Sequence, residues 1–286
     1  MNRRAAVLAF LAAPLGFRSA SFGRAPSLQD AWAPLFNGRD LTGWDTWLGK
    51  LLPGQRGNSP AEFAEPVGLN KDPRGVFSVV DVDGAPAVRI SGETYGGLIT
   101  RDEYENYHLR FEFKWGEKKW PPREQAVRDS GCCYHSVGPH DASYGFWMKS
   151  FEFQIQEGDC GDFYSLAGVI VDAEAVPQSP DNPKSDLVYK KGSPKIVGTT
   201  KRIIREPGNE RPTGAWNSME LYCLRQTSVH VVNGRVNMVL TGLRHRVDGR
   251  EVPLTKGRIQ FQSEAAEVFY RNIAVRPISN IPDLAL

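Results

Sequence analysis

Charge of one sign is what this 286-residue sequence most conspicuously lacks: 35 Lys and Arg stand against 33 Asp and Glu, mixed along the chain. No polyanion-binding stripe forms, which excludes nucleic acid as a partner. Cysteine is scarce as well. The four, Cys132, Cys133, Cys160 and Cys223, include an adjacent pair that cannot act as a C-x-x-C hook, so their spacing matches no zinc pattern. A link from Cys132 or Cys133 to Cys160 and four buried free thiols are both compatible with it. Long apolar runs are missing too. The nearest approach, in "MNRRAAVLAFLAAPLGFRSASFG", is too short to span a bilayer. Arg3 and Arg4, a short apolar run and a small-residue end are the layout of a secretory signal, expected over residues 1–25 with a twin-arginine route open. Export to the periplasm or the medium follows as the expectation.

Helical periodicity is hard to find beyond that segment, whereas period-two runs bounded by Gly, Asn, Asp and Pro recur throughout. In "YHLRFEFKW", Tyr107, Leu109, Phe111, Phe113 and Trp115 alternate with His108, Arg110, Glu112 and Lys114, giving one apolar and one charged face. Asp83-Gly84 and Asn233-Gly234 sit where hairpins turn, the latter suited to the positive φ angles of a type I′ turn. About a dozen strands without crossover helices predict an all-β fold, two antiparallel sheets packed as a sandwich or jelly roll, in one domain over residues 30–280. Residues 48–74 and 173–195, rich in Pro, Gly and charge, are expected as long surface loops.

Chemistry concentrates in "DSGCCYHSVGPHDASYGFWMKSFEFQIQEGDCGDF", residues 129–163. Period two places Phe151, Phe153 and Ile155 on one face of a strand and Glu152, Gln154 and Gln156 on the other, with Glu157 at its end. A solvated sheet face also explains that alternation. Retaining glycosidases need two carboxyl groups about 5 Å apart, and a Gln two residues after Glu152 disfavours that arrangement unless another element supplies the partner. Hairpin connectivity would bring Asp129, His135, His140, Asp141, Tyr144 and Trp147 beside Glu152. A His within reach of a carboxylate can take and return protons near neutrality, and aromatic rings can stack on sugars. A divalent metal ion is a further option, since His135, His140, Asp141, Glu152 and Glu157 are all possible ligands, although a five-residue His spacing is no ligand signature on a strand. Gln260, Gln262 and Glu264 occupy the polar face of a late strand that could join the same surface.

Seven segments in register carry a resemblance: "APLFNGRDLTGW", "YGGLITRDEYENYHLRFEFKW", "DSG", "FEFQI", "TGAWNSMEL", "VVNGRVNM" and "GRIQFQSEAAEVFYRNIAVRPI". From about Trp32 to Ile278 the chain resembles the 3-keto-disaccharide hydrolase domain family. The resemblance implies a concanavalin-like jelly roll, export, and action on glycosides whose sugar is oxidised at C3. The family's Asn-Ser-Gly appears here as Asp129-Ser130-Gly131, His135 stands where the family often has Arg, and its Glu-x-Gln-Ile falls on Glu152, Gln154 and Ile155. A C3 ketone acidifies the C2 hydrogen, so one base can remove it and the enolate can expel the C1 substituent, after which water adds across the enone. On this reading Glu152 and His135 are base and acid in either order. Gln154, Arg110 or a metal ion holds the keto oxygen. Asp129 orients His135, Trp147 and Tyr144 form the sugar platform, and His140 and Glu157 contact substrate. The competing expectation is a carbohydrate-binding module on the same fold. Acid and His groups converging in one trough favour the enzyme.

Overall fold

The structure is a computed structural model that describes residues 31–57 and 59–284. The expected signal segment, residues 1–25, lies outside the described residues. Alternation builds the architecture directly. Leu109, Phe111, Phe113 and Trp115 of the Tyr107–Lys119 strand turn inward, as do Phe151, Phe153 and Ile155 of the Lys149–Gln156 strand, and all join one core. The charged residues between them face away from that core.

The two strands belong to opposite layers of a jelly-roll sandwich. One sheet places Lys149–Gln156 between Asp129–Val137 and Phe163–Leu166 and continues through Lys256–Ser263 and Gly96–Thr100 to Trp44–Leu48. In the other, Tyr107–Lys119 lies between Ala266–Pro277 and Asn217–Leu224, extending to Ala85–Ile90 on one side and Thr227–Val232 and Arg235–Val247 on the other. Phe261 of the first sheet meets Phe111 and Tyr270 of the second, ring centroids 5.0 and 4.5 Å away. Burying each such ring contributes roughly 1.5–3 kcal/mol.

The expected pair of separate antiparallel sheets is modified in two places. Ile170–Pro177 pairs through Ile170, Asp172 and Ala173 with Arg235–Val247 and through Ala175, Val176 and Pro177 with Leu187–Tyr189, joining both layers into one hydrogen-bonded network. Leu187–Tyr189 also runs parallel to Ile203–Ile204. Residues 173–195, expected as a loop, therefore contain the end of one strand and the whole of another, because Ala173, Ala175, Leu187 and Tyr189 are buried in the core. The hairpins turn where expected, with φ of 54° at Asp83 and 48° at Asn233, each followed by a positive-φ glycine. All four cysteines are free and buried. Among the described residues no helix is long and apolar enough to cross a membrane.

Candidate active site

The outer face of the first sheet carries a groove of about 530 Å³, within the size range of small-ligand sites. Its floor follows from register. Glu152 lies opposite Cys133 on one side and Tyr164 on the other, Gln154 opposite Gly131, and Gln156 opposite Asp129, so their side chains share one surface. Asp129 is also bridged to Glu264 at the end of the Lys256–Ser263 strand. Ser130, between them in sequence, points inward and donates to or accepts from Tyr270 Oη at 2.7 Å. Gly131 has a steric reason: a Cβ there would come within 2.5 Å of both Glu152 Oε1 and Gln262 Oε1. The missing side chain lets these two groups fold over the strand.

Loops build the walls. Pro122 and Arg123 come from one loop, and Tyr95, packed on Phe146 and Trp147, supplies an apolar flank together with them, Tyr144 and Leu166. Trp147 Nε1 donates to Gly96 O at 2.8 Å, which fixes the ring, and Tyr144 packs edge-on against it with centroids 6.1 Å apart. Tyr144 itself is 78% exposed.

Three carboxyl groups, Glu152, Asp129 and Glu264, thus meet in the groove with one cation among its lining residues, Arg123. Arg123 lies 2.7 Å from Asp129 and 3.5 Å from Glu264. Gln154 and Gln156 donate to the two Asp129 oxygens at 3.2 and 2.5 Å. Burial pushes Asp129 up to about 6, with Arg123 and Gln156 pulling against it. Glu152, 4% exposed, is driven well above the ordinary carboxyl range by burial and then by the Asp129 charge. Glu264 is raised by burial and by both neighbours. Asp129, with the cation and both amides on it, is the more readily ionised of the two, and Glu152 is the more strongly held toward its acid form, the divergence that separates base from acid.

Of the residues expected at the site, Glu152, Gln154, Asp129, Tyr144 and Trp147 are brought together. His135 is not. Its ring is fully buried among Tyr107, Tyr134 and Phe151, with Nδ1 3.1 Å from Leu254 O. Tyr107 and Phe151 are core residues, so His135 and Glu152 occupy opposite faces of the sheet. The cause is local. His135 has φ +49°, and the pairing register slips beside it, between Lys149 and Phe151 and between Arg258 and Gln260, so the two-residue alternation breaks. Asp129 consequently orients no imidazole; its partners are Arg123, Gln154 and Gln156.

Arg110 projects from the opposite sheet, its guanidinium 4.0 Å over Trp32, in a separate depression of about 760 Å³. The acids there are already paired, Glu112 with Arg271 at 2.6 Å and Glu220 with His108 at 2.8 Å. His140 stacks on Trp47 at 5.3 Å. Glu157 is paired with Arg128 at 3.0 Å and accepts from Thr213, in a third depression. The ligand set considered for a divalent ion is therefore dispersed, and among the described residues no group of three or more His, Cys, Asp and Glu is placed to hold one. Arg123, Tyr95 and Tyr164 were not singled out in the sequence. Gln262 and Glu264, on the polar face of the late strand, do line the groove.

No curated protein matches the chain. Solved structures with a similar outline include two proteins from Parabacteroides distasonis, each provisionally named a glycosyl hydrolase. One is 20% identical with TM-score 0.47, covering 87% of this chain and 100% of the other. The second is 16% identical with TM-score 0.48, covering 87% and 94%. A β-glucanase of Bacillus licheniformis is 11% identical with TM-score 0.40, covering 87% and 97%. The sequence itself matches the model of the 3-keto-alpha-glucoside-1,2-lyase-like domain over residues 31–276, and the chain belongs to that family.

Proposed function

We propose that this protein, exported, cleaves 3-keto-glycosides by removing the proton beside the ketone and eliminating the C1 substituent, with water addition completing a net hydrolysis. The observation that carries this reading is the convergence of Asp129, Glu152 and Glu264 with Arg123 in one sugar-sized groove. Asp129, ionised near neutrality, takes the C2 proton. The electron pair forms the enolate across C2 and C3, then returns to expel the C1 oxygen, which takes its proton from Glu152. Arg123 and Gln154, both beside Asp129, supply the positive charge and amide dipole that oppose charge developing on the keto oxygen. Tyr144 and Trp147 offer ring surface to the sugar. Water then adds its hydroxyl to C1 and its proton to C2 of the enone.

The test separates the two steps. Incubating a 3-keto-glucoside in deuterated buffer should give aglycone release by the wild type. Glu152→Gln should retain deuterium exchange at C2 but lose release by roughly 10²–10⁴-fold, and Asp129→Asn should lose both. Sugar binding by a wild type that neither exchanges nor releases would support a carbohydrate-binding module instead.

A further inference from the structure

We infer that the groove receives its leaving group over Tyr164, Leu166 and Phe146, and that the substrates it favours are 3-keto-glucosides bearing a neutral, aromatic aglycone. The inference rests on the role just assigned to Glu152 and names the substrate class of the same site. Its basis is position. The strand Lys149–Gln156 crosses the floor, and Glu152 stands on it between two unlike halves of the groove. Toward the end of the strand come Gln154 and Gln156, both donating to Asp129, which Arg123 also holds. Toward its start, Glu152 lies opposite Tyr164 and Ser150 lies opposite Leu166. Tyr164 and Leu166, two residues apart, line the groove while Phe163 between neighbours joins the core. Leu166 clusters in turn with Phe146 and Trp147, so the ring surface that Trp147 offers the sugar continues past it.

Asp129 removes the C2 proton, which places the sugar on the charged half. Glu152 gives its proton to the C1 oxygen, so the bond that breaks lies beside Glu152, and the C1 substituent extends over the apolar half. Among the described residues, no residue lining that half carries a positive charge. Arg123 is held in the other half by Asp129 and Glu264, at 2.7 and 3.5 Å. Arg202 lies 5.2 Å from the centroid of the Tyr164 ring but is paired with Asp162 at 2.5 Å and Asp159 at 3.0 Å. A phosphate or carboxylate on the aglycone would find no free cation there and would stand near Glu152. A second sugar would leave hydroxyls against Leu166 and Phe146 without partners, whereas a benzene ring buries apolar area on both.

Matched substrates test this. Benzyl and methyl alcohols leave with similar acidity, so 3-keto-glucosides of the two, with the same anomeric configuration, differ in the fit of the aglycone rather than in its departure. kcat/KM for the benzyl compound should exceed that for the methyl compound by about tenfold, carried by KM, and a 3-keto-disaccharide should fall near the methyl compound. Calorimetry with the unreactive benzyl and methyl glucosides should give the same order of affinity. In Tyr164→Ser and in Leu166→Ser, each checked for folding by thermal melt, the benzyl-to-methyl ratio should fall by about threefold or more. The ratio is internal to each variant, so a general loss of activity does not imitate it. Turnover with a ratio near one, or a ratio unchanged in both variants, would overturn the inference and leave the reaction standing. A benzyl preference in calorimetry without turnover of any 3-keto-glucoside would keep the apolar subsite and remove the reaction. Equal affinities, or no binding of either glucoside, without turnover would remove both.

Discussion

Asp129 and Glu264 face each other as bridge partners, and a single guanidinium, Arg123, reaches both, at 2.7 and 3.5 Å. Its charge opposes the burial that drives Asp129 up to about 6. Removing it leaves two buried acids with no cation between them.

Arg123→Met should therefore raise the Asp129 midpoint further. A base must be ionised, so the acid limb of kcat/KM should move to higher pH by about one unit or more. Activity at about pH 5.5 should fall on the order of tenfold beyond whatever is lost at about pH 8. A pH–rate profile of the variant decides this. An unchanged acid limb would remove Asp129 from the role of base.

Glu152→Gln should stabilise the fold in alkaline buffer while abolishing turnover. The folded-state pKa of Glu152 lies above its unfolded value, so its contribution is fully present below about 4.5 and is lost as pH rises through the folded value. Gln takes no part in that loss. The variant's melting temperature should exceed the wild type's by a few degrees at about pH 8 and converge with it near pH 4, at roughly 2–4 °C per kcal/mol for chains of this size. An equal gain at both pH values would mean that the carboxyl is not strained by burial.

Alternation made the sandwich and much of the groove legible. Phe151, Phe153 and Ile155 are in the core and Glu152, Gln154 and Gln156 line the groove, as period two requires. Hairpin connectivity misplaced His135, because a residue at φ +49° beside a register slip turns its ring from the groove into the core. Arg110 was read correctly as outward-facing, but alternation says nothing about which sheet a strand joins, and its strand forms the opposite layer. Arg123 lies in a Pro-rich loop without periodicity, so only tertiary structure brings it to Asp129. The motif Asp129-Ser130-Gly131 shows how much three residues can specify: one faces the groove, one the core, and the last leaves space for its neighbours.

His135→Asn should leave turnover within about threefold, since the ring lies in the core and Asn tolerates the left-handed backbone. Its effect belongs to stability. Burial lowers His135 to about 4, and His230, held between Tyr134 Oη and Gly161 O at 3.2 Å each, is likewise lowered to about 4. Both groups stabilise the fold above the unfolded value of about 6.5 and lose that contribution as pH falls toward 4, by about 3 kcal/mol each over the whole window. Denaturant melts at about pH 7 and about pH 4.5 should show a shallower pH dependence in the variant than in the wild type. A large loss of turnover, with the fold intact, would instead return His135 to the chemistry.

Tyr144→Ala tests whether the groove's mouth acts on substrate or only on structure. The ring is 78% exposed and touches Trp147 edge-on, so its removal should leave the melting temperature within about 2 °C of wild type. A non-Gly residue at φ +53° beside a positive-φ glycine is a backbone cost that packing of so exposed a side chain does not offset. A sugar or aglycone stacked on the ring would supply the compensating contact, about 0.5–1.5 kcal/mol for such a pair. KM for a 3-keto-glucoside should therefore rise about two- to tenfold with kcat nearly unchanged, and the affinity for an unreactive glucoside should fall by the same factor in calorimetry. If both constants stay at wild-type values, the platform consists of Trp147 alone and the Tyr144 loop has no part in binding.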